Sequence, residues 1–141
     1  MKSERTLLNH RLDAYTLTEI LVVLVIIGIL TLLALPNLLP TVTKAKAIEA
    51  KEQLIHLKTL EQDYFYEHSR YSKDFNELGF IQDPLVTDSK DGRANYRINV
   101  TNASNTTFTA TATAVVDFNG NGTYNVWQID QDGTLKEVTP D

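Results

Sequence analysis

The sequence predicts an α+β fold: one long N-terminal helix, apolar enough at its start to enter a membrane, packed further along on a small antiparallel β-sheet. Three observations carry this. Residues 20–35 are apolar throughout except for Gly28 and Thr31. Ala47, Ala50, Leu54, Leu57, Leu60 and Tyr64 then recur at steps of three and four, the stripe of an amphipathic helix. From residue 94 onward the period shortens to two: Tyr96, Ile98 and Val100, then Phe108, Ala110, Ala112 and Ala114, alternate with polar neighbours.

Taken alone, the apolar block is short for a bilayer, whose hydrocarbon core takes ~17–25 helical residues. Residues 15–39 reach that length but include Glu19, and a carboxylate in an apolar phase is costly enough to mark a functional position. A cleavable secretory signal would need small residues just behind the block. The chain instead reads Pro36-Asn37-Leu38-Leu39-Pro40, which argues that the block stays. Ile48 and Ile55 widen the amphipathic stripe, while Lys44, Lys46, Lys51, Lys58, Glu49, Glu52 and Glu61 fall largely off it. Taken as one helix, residues 15–68 would span ~80 Å. Pro36 and Pro40 would bend it, since each removes an i→i−4 bond.

Residues 69–92 are rich in turn formers and read as a connecting loop with one helical turn near residues 74–78. Strands are expected from residue 94 to about 101 and at 107–114, 124–130 and 134–138. The links between them, around residues 102–105, Asn119-Gly120-Asn121-Gly122 and Gln131-Asp132-Gly133, are hairpin-sized and rich in residues that accept positive φ. The aromatic cluster Tyr64, Phe65, Tyr66 and Tyr71 is expected to pack under the sheet.

With the apolar block set aside, the remainder is too small and polar for a large core, so it calls for a docking partner, metal, disulfide or oligomer. The chain has no cysteine, which removes the disulfide. A formal charge of −5 does not indicate a nucleic-acid-binding footprint. Residues 1–14 carry a net +1 and the rest −6, the layout of an exported or membrane-anchored protein. Lysines and arginines flank the block on both sides, so charge alone gives no orientation.

Two places suggest chemistry. Glu19 is the one charged residue in residues 15–39. Asp117, Asn119 and Asn121 put side-chain oxygens at positions 1, 3 and 5 of a potential calcium loop, with Gly122 at position 6. The twelfth position is Gln128 and not a bidentate glutamate, so an EF-hand is not supported. Asp130 and Asp132 could approach from the next turn, and the competing reading is a β-turn. His56 and His68 have no third ligand at metal spacing. No nucleophile elbow, zinc-protease helix or phosphate loop is present, and nothing points to an enzyme or to a required cofactor beyond the calcium candidate.

The segment Ala14-Tyr15-Thr16-Leu17-Thr18-Glu19-Ile20-Leu21, running on into the apolar block, resembles the prepilin cleavage and methylation motif of type IV pilins and type II secretion pseudopilins. It has the small residue, the aromatic, Thr and Leu, then Glu at mature position 5. Pro36 falls at mature position 22, where many pilins carry a helix-bending proline, and residues 71–80 and 107–114 resemble pilin segments more weakly. The resemblance implies a pilin fold with a leader at 1–14, a transmembrane and filament-core helix at 15–40 and an exported head domain at 41–141. It implies cleavage by a prepilin peptidase between Ala14 and Tyr15, and N-methylation of Tyr15. Glu19 would face the N-terminus of a neighbouring subunit, and Pro36 would take part in filament assembly.

The implied function is that of a structural subunit, a homo-oligomer in a helical filament. Its partners would be the membrane and a pilus or secretion assembly machinery. It would cross the bacterial inner membrane once, with its head outside the cytoplasm, before joining a periplasmic or cell-surface filament. A pseudopilin of a type II secretion system is the alternative. A second alternative is a signal-anchored exported binding domain that could depend on calcium. Many pilins fasten their C-terminal region with a disulfide, which this chain cannot form.

Overall fold

A computed structural model describes residues 15–141, apart from the side chains of residues 36–39. The elements run α1 (Leu17–His68), α2 (Phe75–Leu78), β1 (Tyr96–Ala103), β2 (Phe108–Ala114), β3 (Val126–Asp130) and β4 (Lys136–Thr139). The chain divides into two compact units, the first ending at Pro36 and the second running from Asn37 to Asp141. In the first, every side chain of Leu17–Leu35 is exposed.

The second unit has its own core. All four strands pair antiparallel in the order β1-β2-β3-β4, a simple meander. The alternation read from the sequence is the burial pattern: Tyr96, Ile98 and Val100 on β1, and Phe108, Ala110, Ala112 and Ala114 on β2, are buried. Against that face α1 sets Ala47, Ala50, Leu54, Leu57 and Tyr64, each less than a tenth exposed. The small alanines of β2 leave the room that Leu54 and Leu57 fill, and each leucine so buried contributes ~1.5–3 kcal/mol. Strands β3 and β4 begin two residues later than their patterns suggest.

Two parts of the stripe differ from expectation. Ile48 and Ile55 are about half exposed and belong to the outer face, since the buried row runs 47, 50, 54, 57, 61, 64 and they lie beside it. Tyr66 is 78% exposed, whereas Phe65 stacks on Tyr71 at 4.8 Å and Tyr71 meets Phe108 at 5.0 Å. The aromatic cluster therefore sets Tyr64 and Tyr71 in the core, Phe65 stacked over Tyr71, and Tyr66 outside.

The connection from α1 to β1 is held by specific bonds. Ser69 takes a left-handed conformation (φ 56°) directly after the last helical residue and ends α1. Asp74 caps α2 through Asn76 N–H at 2.9 Å, and Gly79 closes it at φ 70°. Gly92 passes so close to Leu85 that an added Cβ would lie 1.9 Å from the Leu85 carbonyl oxygen. Gln82 covers the free edge of β1: its Oε1 accepts from Ile98 N–H at 2.8 Å and its Nε2 donates to the Tyr96 carbonyl at 3.2 Å. Glu49 ties α1 to the start of β1, its two oxygens accepting from the backbone and side-chain nitrogens of Asn95 at 2.7 Å each.

Glu61 occupies the buried row that the lysine- and glutamate-rich pattern had assigned to the outer face. It is fully buried; Oε2 accepts from Ser72 N–H at 3.1 Å and Oε1 has no partner among the described residues. Burial pushes its pKa up to about 7, against the pull of the Ser72 bond. A folded-state pKa above the unfolded value means that the proton stabilises the fold. That contribution is complete below about pH 4.5 and is lost as pH rises through about 7. The full chain in neutral detergent should therefore melt lower at pH 8 than at pH 5. Glu61→Gln should raise the pH 8 melting temperature by several degrees and flatten the pH dependence between those values. An unchanged pH profile in that variant would remove Glu61 as its cause.

Candidate functional site

The start of α1 is built by two side chains. Glu19 N–H donates to Thr16 Oγ1 at 3.2 Å, and Thr16 N–H donates to Glu19 Oε2 at 2.6 Å. This is a reciprocal capping box: the first turn of a helix has amide hydrogens without intrahelical partners, and here two are satisfied at once. The sequence carried the signal in Thr16-Leu17-Thr18-Glu19, a threonine with glutamate three residues on and an apolar run behind it. Thr16 is the capping residue that the resemblance to the cleavage motif did not single out.

Tyr15 precedes the helix and is 81% exposed. With Thr18, Glu19, Val22 and Val23 it lines one shallow apolar face, the i, i+4 geometry bringing Tyr15 beside Glu19 and Glu19 beside Val23. Glu19 is the one charge in Leu17–Leu35, a helix of 19 residues that is long and apolar enough to cross a membrane. Its Oε1 has no hydrogen-bond partner among the described residues. The arrangement can do two things: order the helix start, and present half a carboxylate on an otherwise apolar surface. Ala14, the other half of the expected cleavage site, lies outside the described residues. Pro36 falls inside the bounds of α1, which runs through both Pro36 and Pro40.

The loop at Asp117 uses its oxygens internally. Asp117 Oδ1 accepts from Asn119 N–H at 3.2 Å and Gly120 N–H at 2.6 Å, and Oδ2 accepts from Gly122 N–H at 2.6 Å. These backbone bonds, led by that from Gly122, hold the carboxyl below its ordinary pKa. Asn119 Oδ1 accepts from Asn121 N–H, and Asn121 Oδ1 from Thr123 N–H. Gly120 and Gly122 supply the positive φ values. Asp130 Oδ1 also accepts in its own turn, from Asp132 N–H and Thr134 N–H. Among the described residues no three His, Asp or Glu side chains gather as metal ligands.

A polar network fastens the end of the sheet. Asn125, fully buried, accepts from Tyr96 Oη at 2.8 Å and donates to Glu137 Oε1 at 2.8 Å and to the Thr139 carbonyl at 3.0 Å. Burial drives the Tyr96 hydroxyl pKa upward, so it stays a donor. Phe118 N–H donates to Asp141 Oδ2 at 3.0 Å, tying residue 141 to the Asp117 loop.

Comparison with known proteins agrees with this layout. Residues 36–125, more than half of the chain, match the family model described as type IV minor pilin ComP, DNA uptake sequence receptor. The type IV major pilin protein PilA of Myxococcus xanthus is 42% identical over 72 residues, 51% of this chain and 33% of that protein. The type II secretion system core protein G of Dickeya chrysanthemi is 35% identical over 74 residues, 52% of this chain and 48% of that protein. The matches thus span between a third and about half the length of these relatives. With the head's meander sheet, the apolar helix and the family match in hand, the chain belongs to the type IV pilins, in the minor pilin family that this model describes.

Proposed function

We propose that the protein is a structural subunit of a type IV pilus-like filament, anchored in a bacterial inner membrane by Leu17–Leu35 and polymerised through the same helix. The observation that carries this is the fully exposed apolar helix with one carboxylate on its surface. Such a surface needs either lipid or other apolar helices, and a filament core of like helices supplies the second. Processing by a prepilin peptidase would leave Tyr15 as the first residue, its amine free to meet Glu19 of a neighbouring copy. Glu19 can make that contact while keeping its own capping bond, because a carboxylate has about four acceptor sites. Pro36 is assigned to the same assembly helix.

The similarity to a type II secretion core protein favours a pseudopilin as the second reading, with the same physics in a secretion filament. DNA recognition is the role named for the matched family. Phosphate contacts along a duplex call for a basic stripe, and this chain carries a charge of −5. The Asp117 loop is proposed to hold its shape as a self-capped turn, since the oxygens of Asp117, Asn119 and Asn121 already accept the backbone N–H groups that turn toward them.

Intact-mass analysis of protein from sheared filaments should show a chain beginning at Tyr15 with one added methyl group. Retention of residues 1–14 in assembled material would overturn the assignment.

Capping and charge at Glu19 are separable. Glu19→Gln keeps a competent capping box but removes the charge, and it should lower filament yield about tenfold or more while the membrane pool stays. Thr16→Ala weakens the helix start and should leave yield near wild type. Equal yields from Glu19→Gln and wild type would mean that Glu19 works by capping alone.

For the loop, millimolar calcium should not shift the melting temperature of the full chain in detergent. Asp117→Ala should lower it by a few degrees with or without calcium. A calcium-dependent gain that Asp117→Ala abolishes would make the loop a metal site.

A further inference from the structure

Between α1 and the β3–β4 side of the sheet lies a groove of about 370 Å³, lined by Thr43, Lys44, Ala47, Lys51, Trp127 and Glu137. Trp127, the chain's one tryptophan, faces α1 because it shares the strand parity of buried Ile129. Lys51 Nζ sits 4.2 Å above the centre of its ring. The indole N–H is buried without an acceptor among the described residues, so ring and ammonium are held by each other and by packing. Neither Lys44 nor Lys51 has a carboxylate at ion-pair distance among the described residues. Glu137, on the opposite wall, already accepts from Asn125 Nδ2. In a chain of net charge −5 this groove thus gathers two ammonium groups outside any ion pair, one carboxylate and an indole.

Its place in the sequence suggests the occupant. Lys44 follows Leu35 by only nine residues, so the groove begins close behind the proposed span in the sequence. Headgroups extend the bilayer several ångströms beyond its hydrocarbon on each side, and lysine side chains reach back toward that layer. Tryptophan beside lysine is the composition of a membrane–water interface. We propose that this groove binds the phosphate of an anionic membrane lipid, with Lys44 and Lys51 as its cationic walls and Trp127 at the acyl–headgroup boundary. The site belongs to the subunit while it is still in the bilayer. It rests on the reading of Leu17–Leu35 as a membrane span and not on polymerisation, so a failure to form filaments would leave it standing.

Trp127 makes the test direct, because its fluorescence reports on the groove alone. The full chain in neutral detergent is titrated separately with short-chain phosphatidylglycerol, short-chain phosphatidylcholine, inorganic phosphate and a DNA duplex. The expected result is a saturable change with phosphatidylglycerol, none with phosphatidylcholine or DNA, and one with inorganic phosphate only at far higher concentration. Lys44→Gln combined with Lys51→Gln should weaken the phosphatidylglycerol response about 30-fold. Lys44→Arg with Lys51→Arg should retain it, and Lys90→Gln, on an exposed turn that does not line the groove, should leave it unchanged.

A wild-type response in the double glutamine variant would overturn the proposal, as would loss of the response in the double arginine variant. An equal response to phosphatidylcholine would reduce the groove to a generic detergent-like contact. Tighter binding of DNA than of phosphatidylglycerol would make it a nucleic-acid site instead.

Discussion

Leu17–Leu35 carries apolar side chains around the whole circumference of a helix, and the described chain buries none of it. Water is a poor solvent for that surface, at roughly 25 cal/mol for each Å² left exposed. Two media relieve it: the hydrocarbon of a bilayer and the apolar flanks of identical helices. A subunit able to use both can leave one for the other without exposing the helix to water at either end of the exchange. What distinguishes the two media is their treatment of polar groups. Lipid offers Glu19 no partner, whereas a neighbouring chain can bring an amine. Under the proposed assembly the carboxylate would bias the helix toward its own kind, because the demand it makes in lipid would be met in the filament.

The second half of α1 solves a different problem. One stripe of a helix and one face of a four-stranded sheet make a small core, and cysteine is absent. Polar contacts take over the fastening that a disulfide would provide. Asn125 joins Tyr96 on β1 to Glu137 and Thr139 at the far edge, Glu49 clamps Asn95, and Asp141 holds Phe118. Such bonds are directional, and a buried group left unmade is expensive, so they select one arrangement of the last strand more than they add net stability.

The long helix and the sheet were legible in the sequence because periods of 3.6 and 2 are set by backbone geometry, and Ala47 to Tyr64 and Tyr96 to Ala114 carry them cleanly. What escaped was chemistry that the periodic pattern does not encode. Glu61 sits at the right spacing for the buried row, after Leu54 and Leu57, but a carboxylate there reads as surface unless the Ser72 amide is known to reach it. Ile48 and Ile55 read as core on hydrophobicity alone, while their position beside the row leaves them outside. The Asp117 loop was ambiguous for a physical reason: oxygens at alternate positions suit a cation and equally suit successive backbone amides of a turn. Thr16 was readable as a capping partner but was absorbed into a motif defined by cleavage.

Four carboxylates in this chain separate by what becomes of their second oxygen. Asp117 and Glu49 spend both oxygens on amides of their own fold. Glu61 spends one, and the other is sealed in the core, out of reach of any cation; its deficit is met by a proton, and the pKa rises to about 7. Glu19 also spends one, on Thr16, but its other oxygen has no partner among the described residues, and the residue lines an exposed face with Tyr15 and Val22. A proton could satisfy it there too. A cation delivered by another molecule satisfies it better, because an ionised pair in an apolar medium gains attraction as well as hydrogen bonds. The capping bond fixes one oxygen and so orients the other, and in the proposed filament this would give a costly charge a defined direction for docking.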